Sequence, residues 1–342
     1  MGTQLGEIVE KKKIELEAMA DRVIAIDAFN TLYQFLSIIR QYDGTPLMDS
    51  QGRTTSHLSG LFYRTGKMIE AGVKPIYVFD GKPPAMKAGT LEGRGKIRTE
   101  AKEKWDKAKE EGDFESAKKY AQQSVKLNDE MIGSAKELLG AMGVPVVQAP
   151  EEGEAQASFI VTQGGAWAAA SQDFDSLLFG ATNLLRNMTV TGRRKLPNKN
   201  VYVLVEPELI SLEENLEALK ITREQLIDIG IIVGTDYNSG VYGIGPKKAL
   251  QAVQAGKTAA DVYKEQEQEP EVEIDSLRAM FLKPNVTKDY DIKFRPPDEK
   301  KMIEVLVEKH DFSKSRVEAT IHTLMEYTKQ KGKQGRLDQW FS

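Results

Sequence analysis

Two close pairs of acidic residues stand out near the middle of the chain: Glu152 with Glu154, and Asp173 with Asp175. The second pair follows a short apolar run that predicts a buried strand over 166–170. Side chains two residues apart in an extended segment point the same way, so both carboxylates are expected on one side of the strand end. Such crowding is costly unless a cation is present. Either pair taken alone is equally compatible with solvated loop acids.

The same arrangement occurs twice earlier in the chain. A short apolar strand over 22–26 ends on Asp27, and another over 75–79 ends on Asp80. Helical patterns separate the three strands, which indicates an α/β fold with a mostly parallel sheet. In an open sheet of this class, ligands bind at the carboxyl ends of the strands. A seventh acid of interest, Asp236, follows a later helix in the segment GTDY.

The composition restricts the chemistry that these acids can perform. The chain has 342 residues, a net charge of −4, no cysteine, and three histidines without ligand-type spacing. A metal site must therefore depend mainly on oxygen ligands, which favours Mg²⁺ or Mn²⁺ over Zn²⁺. No apolar run approaches the roughly 20 residues that cross a bilayer, and the N-terminus lacks the apolar core of a signal peptide. We expect a globular protein that does not enter a membrane.

A basic segment interrupts the strand pattern. Over residues 81–109, nine Lys and Arg residues oppose four acids. Gly89, Gly93 and Gly95 predict a pliant first half, and the second half together with 113–126 predicts two polar helices. Because helices this polar pack poorly into a core, we interpret the segment as a projecting, mobile, basic helical element. A charged surface hairpin without a function is the alternative.

Glycine and lysine mark another candidate site later in the chain. Gly243 and Gly245 precede a predicted helix that begins at Pro246 and continues with Lys247 and Lys248. Backbone N–H groups at a helix start, beside two lysines, are suited to a phosphate group. A plain helical hairpin would carry the same pattern.

The C-terminal end combines polar and apolar signals. After Lys329 the chain becomes polar and contains glycine, which predicts disorder. It nevertheless finishes with apolar side chains that a tail seldom exposes without a partner. Residues Gln334, Leu337, Trp340 and Phe341 have the spacing of one helical turn that enters a groove.

Seven segments of this chain resemble the flap structure-specific endonucleases of the XPG/Rad2-like nuclease family, in the family's order and spacing. They are IAIDAFNTLYQFL, TSHLSGLFYRT, VFDGKPP, PEEGEAQAS, SQDFDSLLFG, GTDY with GIGPKKA, and QGRLDQWF. The resemblance implies a PIN-like, Rossmann-like sheet flanked by helices, with an inserted helical arch and a helix–two-turn–helix element. The chain stops just after the last segment, whereas eukaryotic members carry a basic extension. We therefore expect an archaeal-type protein that is cytoplasmic and nucleoid-associated; a eukaryotic member would be nuclear.

The resemblance also implies a domain organisation. A nuclease core is expected over 1–260, with an N-terminal part over 1–98 and an internal part over 115–260. A C-terminal helical part over 261–329 is expected to close this core, and 330–342 is expected to be a flexible tail with a clamp-binding motif. Two elements lie within the core: a helical gateway over about 81–127 and the helix–two-turn–helix over about 224–256.

For the active site, the resemblance implies two Mg²⁺ ions, for which Mn²⁺ substitutes, that activate water for phosphodiester hydrolysis. Their expected ligands are Asp27, Asp80, Glu152, Glu154, Asp173, Asp175 and Asp236, of which Asp27 and Asp80 are also counted as catalytic. Lys87 and Arg94 match basic gateway residues that reach the scissile phosphate and supply positive charge in the transition state.

Further residues match the family's DNA contacts. Tyr33 matches an aromatic residue that stacks on a displaced base, and Gly2 matches an N-terminal residue near the active site. The turn with Gly243, Gly245, Lys247 and Lys248 matches the element that grips duplex DNA through K⁺. Tyr242, within this turn, stands where many relatives have a basic residue. The tail resembles a peptide that binds the PCNA sliding clamp.

The function implied is that of a monomeric 5′ flap endonuclease with 5′–3′ exonuclease activity, acting in Okazaki-fragment maturation and DNA repair. A related nuclease for bubbles, gaps or Holliday junctions is the first alternative. A haloacid-dehalogenase-type phosphatase also carries Asp-x-Asp after a strand, but its motif requires Thr or Val where this chain has Leu177. A junction-binding clamp partner without catalysis is a third reading, against which the presence of all seven acids argues.

Overall fold

The computed structural model describes residues 3–189, 192–195 and 202–338, with the backbone alone for 192–195, 202–204 and 330–338. Within these residues the strands are β1 Lys12–Lys13, β2 Val23–Asp27, β3 Lys74–Phe79, β4 Val146–Gln148, β5 Ala168–Ala170, β6 Asn183–Arg186, β7 Gly192–Lys195, β8 Tyr202–Val205 and β9 Glu208–Ser211.

The α-helices of the described residues are α1 Ala28–Ile38, α2 Ser56–Glu70, α3 Ala88–Glu110, α4 Phe114–Gln123, α5 Asp129–Ala141, α6 Gly153–Thr162, α7 Asp175–Leu178, α8 Leu212–Leu219, α9 Arg223–Val233, α10 Pro246–Gln254, α11 Ala259–Glu265, α12 Ile274–Leu282, α13 Glu299–Ile303 and α14 Lys314–Asp338. Short 3₁₀ segments lie at Glu17–Met19 and Ala85–Lys87, and a π-helical segment at Glu304–Glu308 follows α13. No helix in these ranges is long and apolar enough to cross a membrane.

The predicted α/β fold is confirmed. Seven strands form one sheet in the order β1-β9-β6-β5-β2-β3-β4. The five strands from β6 to β4 run parallel to one another, and β9 and β1 are antiparallel to their neighbours. The strand order reverses direction beside β2, which is the kind of position where ligands bind in open α/β sheets.

Both faces of the sheet are covered, as the apolar runs of its central strands predict. Ile24 and Ile26 of β2 face a core built with α1, α2, α5 and α14. Ala25, between them, faces the opposite core, in which Ile160 of α6 is fully buried. Alternate side chains of one strand therefore serve two layers of helices.

The basic segment forms a helical hairpin, α3 followed by α4, between β3 and α5. The predicted pliant first half is wrong, because α3 runs without a break through Gly89, Gly93 and Gly95. Each internal glycine costs a helix about 0.5–1 kcal/mol, but the intervening Lys, Arg and Glu residues are strong helix formers. Ion pairs one turn apart, such as Glu92 with Lys96 at 2.9 Å, support the same conformation.

Other local expectations also differ from the structure. Asp175 begins the short helix α7 and so does not continue an extended strand end beside Asp173. Glu154 lies in the first turn of α6, which begins at Gly153. At the C-terminus, α14 continues past Lys329 to Asp338, where disorder was expected. Lys, Gln and Arg, which are abundant there, have high helix propensity and extend the helix.

Candidate active site

The parallel sheet brings the first two acids to one edge. Asp27 is the last residue of β2 and pairs in register with Val78 of β3. Asp80 follows the end of β3 directly. Asp27 also begins α1, where its Oδ1 atom accepts a hydrogen bond from the Asn30 N–H at 3.0 Å. The side chain is 6% exposed and is held at the junction of strand and helix.

Helix α6 adds the two glutamates. Glu152 is its N-cap residue and Glu154 lies in its first turn. The Gly153 N–H donates a hydrogen bond to Asp80 Oδ1 at 2.8 Å. A Cβ atom on Gly153 would lie 2.5 Å from that same oxygen. Glycine is therefore required for the helix start to approach the end of β3 this closely.

The loop between β5 and α7 supplies Asp173, and the first residue of α7 is Asp175. The Asn30 side-chain amide donates to Asp173 Oδ2 at 3.1 Å, and the Ser171 hydroxyl donates to Glu154 Oε1. Asp175 is 4% exposed and accepts a hydrogen bond from the Thr3 N–H at 2.7 Å. Polar groups from three separate segments thus orient these carboxylates.

The acids lie close enough to perturb one another. Burial, with Asp80 and Asp173, raises the pKa of Asp27 well above its ordinary value. Burial, with Asp173, Asp175 and Asp27, does the same to the pKa of Glu154. Repulsion of this kind requires carboxylates that are near in space although distant in sequence.

Asp80 and Asp175 are affected in the same way. Burial, with Glu152 and Asp236, raises the pKa of Asp80 to about 7. Burial, with Asp173 and Asp236, raises the pKa of Asp175 to about 6. The structure therefore brings all seven predicted acids into one site.

Two gateway cations face this site. Lys87 Nζ lies 2.6 Å from Glu152 Oε2 and 3.3 Å from Asp236 Oδ2, and the Lys87 side chain is only 12% exposed. An Arg94 guanidinium nitrogen lies 2.5 Å from Asp236 Oδ1. Burial alone would lower the pKa of Lys87, but Glu152 and Asp236 raise it above its ordinary value. These ion pairs hold the N-terminal part of the gateway, at Lys87 and Arg94, against the acids.

These residues fit divalent cations by their chemistry. Their donors are carboxylate oxygens, which Mg²⁺ and Mn²⁺ prefer. Burial and the repulsion of neighbouring acids raise the pKa values of Asp27, Asp80 and Glu154, and a bound cation would relieve that repulsion. Within the residues that the structure describes, no three acids or histidines have the arrangement of a finished metal site. Glu152 and Asp236 bind Lys87 and Arg94 instead.

The predicted DNA contacts lie on separate elements. Tyr33 is half-buried on α1, and the Arg98 guanidinium lies 5.0 Å from its ring centre. Gly245 is the N-cap of α10, and Lys248 Nζ donates to the Gly243 carbonyl oxygen at 3.2 Å. Lys247 is exposed and lies 3.9 Å from Glu7.

Some predicted residues lie outside what the structure describes. Gly2, Trp340 and Phe341 fall beyond the described ranges. Gln334 and Leu337 belong to the backbone of α14, and their side chains are not described.

Several site residues were missed in the sequence. Asn30 and Ser171 orient acids, and their position beside Asp27 and Asp173 was the available signal. Buried Tyr237, next to Asp236, forms part of the wall, with Lys87 Nζ 5.7 Å from its ring centre. The contacts of Thr3 and Arg98 join segments far apart in the chain, which local patterns do not reveal.

The raised pKa of Asp80 predicts how the metal-free protein responds to pH. The Asp80 pKa is 3.8 as a free side chain and about 7 in the fold, so the folded state binds this proton more tightly. Folding stability from this group is present at low pH and is lost as the pH rises through about 7. In EDTA, wild type should lose more thermal stability than Asp80→Asn between about pH 5 and pH 8.

Unfolding temperatures measured across this range test the expectation. The exposed Asp289→Asn variant is the control and should follow wild type. Parallel curves for wild type and Asp80→Asn would show that the fold does not raise the pKa of Asp80.

Comparisons with known proteins agree with this geometry. Residues 1–101 match the XPG N-terminal domain and residues 143–236 match the XPG I-region. Flap endonuclease 1 of Thermococcus onnurineus is 56% identical over 342 residues, covering 100% of this chain and 99% of that protein. Flap endonuclease 1 of Pyrococcus furiosus is 53% identical, with coverage of 100% and 99%.

Solved structures give the same result. Flap endonuclease-1 from Methanococcus jannaschii superposes with a TM-score of 0.77 at 40% identity, covering 96% of this chain and 100% of that one. The catalytic core of Rad2, solved with a DNA substrate, matches with a TM-score of 0.67 at 22% identity over 94% of this chain and 97% of its own, which supports the fold alone. With both XPG regions present and more than half of all residues shared with named members, the chain belongs to the flap endonuclease 1 family of XPG nucleases.

Proposed function

We propose that this protein cuts flapped duplex DNA one nucleotide inside the junction of single and double strand, in a reaction that requires Mg²⁺. The chain is a structure-specific nuclease, and hence a hydrolase, by its family. The observation that carries the proposal is the convergence of seven acids beneath a helical gateway. Lys87 and Arg94 of that gateway reach into the acids.

The seven acids are the residues that would bind the metal ions. Asp27, Asp80, Glu152, Glu154, Asp173, Asp175 and Asp236 are the residues that would hold two divalent ions. When bound, such ions supply a hydroxide nucleophile at neutral pH and neutralise charge on the leaving oxygen.

The gateway cations have a second role once DNA is bound. In the structure without DNA, Lys87 contacts Glu152 and Asp236, and Arg94 contacts Asp236. With those carboxylates neutralised by divalent ions, Lys87 and Arg94 would be free to turn to the scissile phosphate. Positive charge placed there stabilises the charge that develops on phosphate oxygens in the transition state.

The start of α10 is suited to the duplex backbone. Its free N–H groups, with exposed Lys247 and Lys248, favour a phosphate group. Lys248 Nζ already donates to the Gly243 carbonyl oxygen, so this oxygen accepts a cationic partner. We place the K⁺ ion that the family resemblance implies at this turn. Contacts of this kind recognise the shape and backbone of DNA and not its base sequence.

Recognition of the displaced strand is assigned to α1. Tyr33 presents a half-buried ring, and the guanidinium of Arg98, in the middle of α3, covers it. A base that stacks on such a ring gains about 1–3 kcal/mol. Arg98 must move aside or stack with the base for this contact to form. No observation favours bubbles, gaps or Holliday junctions as the main substrate.

The proposal is tested on labelled 5′-flap, bubble and Holliday-junction DNA, with Mg²⁺ or EDTA. Wild type should cut the flap in Mg²⁺ only. Asp175→Ala should lower the single-turnover rate by more than about a hundredfold, since the site loses a charge that acts in catalysis. Binding of the flap should change little.

The exposed Asp289→Ala variant is the matched control and should cut at the wild-type rate. Cleavage by Asp175→Ala close to that of wild type would remove this acid from the metal site. A preference for Holliday junctions over flaps would overturn the substrate assignment.

We also propose that the chain acts as a monomer and binds the PCNA sliding clamp through Gln334, Leu337, Trp340 and Phe341. The support is the sequence pattern alone, with apolar side chains at helical spacing. Deleting residues 337–341 should leave cleavage by the isolated enzyme unchanged and abolish its stimulation by the clamp. Stimulation that survives the deletion would show that the clamp binds elsewhere.

A further inference from the structure

The N-terminal arm, residues 3–11, packs against the loop that carries Asp173 and Asp175. Leu5 is fully buried in the same apolar cluster as Phe174, the residue between the two acids. Gly6 lies against the Phe174 ring. A Cβ atom added to Gly6 would be only 3.1 Å from a ring carbon. Lys11 Nζ lies 5.6 Å from the centre of that ring. The arm is thus a fixed wall of the acid site.

Thr3 is the residue of the arm that reaches an acid. Its side chain and backbone are 2% exposed, and its N–H donates to Asp175 Oδ1 at 2.7 Å. Its hydroxyl lies beside the same carboxylate. The hydroxyl oxygen has no partner of hydrogen-bond geometry among the described residues. A buried hydroxyl without a partner normally costs free energy.

We propose that Thr3 is a positioning residue whose two donors, the N–H and the hydroxyl, set the orientation of Asp175 toward a bound divalent ion. The N–H holds one carboxylate oxygen in the metal-free protein. The hydroxyl completes its hydrogen bond when the carboxylate turns to bind the ion. The proposal depends on the proposed function, since it takes Asp175 as a metal ligand. It adds a residue that the seven acids do not include.

Groups that orient a metal ligand through hydrogen bonds typically change metal affinity or activity by about 10- to 100-fold when removed. Thr3→Val retains the shape of the side chain and the backbone N–H but removes the hydroxyl. We expect it to lower the single-turnover rate about 10-fold or more and to weaken Mn²⁺ binding to the DNA-free protein. Affinity for the flap should stay within about twofold of wild type, because Thr3 positions an acid and not the DNA.

The experiment uses the full-length chain with three variants. Mn²⁺ binding is measured by calorimetry without DNA, cleavage by single turnover, flap binding in EDTA, and folding by thermal unfolding. Thr3→Ser retains both donors and should restore rate and Mn²⁺ affinity to near the wild-type values. Gln4→Ala, at the adjacent exposed position, is the matched control and should match wild type in every measurement.

Two results would overturn the proposal. Rate and Mn²⁺ affinity of Thr3→Val within twofold of wild type would show that the hydroxyl has no positioning role. An equal loss in Thr3→Ser and Thr3→Val, or a loss that appears only in flap binding, would show that packing or DNA contact matters instead. In each case wild type still cuts flaps and binds Mn²⁺. Failure of wild type itself to do so would contradict the proposed function and not this inference alone.

Discussion

Electrostatic repulsion among carboxylates in one site is the constraint on which the rest of this structure depends. Asp27 and Asp175 are 6% and 4% exposed, so water screens their charges poorly. Each lies near other acids that raise its pKa further. A fold that crowds these groups must provide positive charge, and here part of that charge comes from Lys87 and Arg94. The same two cations that the family resemblance assigns to the phosphate therefore also stabilise the site without DNA.

The sheet makes the crowding unavoidable. Neighbouring parallel strands end at one edge, and β2 and β3 deliver Asp27 and Asp80 there. Helix α6 approaches so closely that Gly153 is necessary, and it adds Glu152 and Glu154 from a third direction. The N-terminal arm closes the remaining side against Phe174. The site is therefore assembled by elements that are rigid because they belong to the core, which keeps the acids in place despite their repulsion.

Much of this arrangement could be predicted from the sequence, because the acids sit at the ends of apolar strands. Asp27 and Asp80 are placed by strand periodicity and by the rule that parallel strands share an edge. The local conformation of Asp175 could not be predicted in the same way, since β5 ends at Ala170 and a short helix begins at Asp175. The gateway glycines favoured a pliant segment, but the good helix formers around them decided the conformation of α3.

The contacts that connect distant segments were beyond local patterns. Lys87 and Glu152 are 65 residues apart in the chain, Arg94 and Asp236 are 142 apart, and Thr3 and Asp175 are 172 apart. The positions of charged residues in the sequence predict that ion pairs form, but only the fold decides which residues pair. The role of Thr3 in particular follows from a backbone N–H and a buried hydroxyl that both lie beside Asp175, and no local pattern singles out either group.

We propose that these seven carboxylates form one cation-binding site. Anomalous scattering from crystals of the full-length protein grown with Mn²⁺ would show whether they do. We expect two Mn²⁺ peaks, both bound among Asp27, Asp80, Glu152, Glu154, Asp173, Asp175 and Asp236, with Lys87 and Arg94 displaced from Glu152 and Asp236. The absence of any peak at these acids, or Mn²⁺ bound only at other parts of the surface, would contradict it.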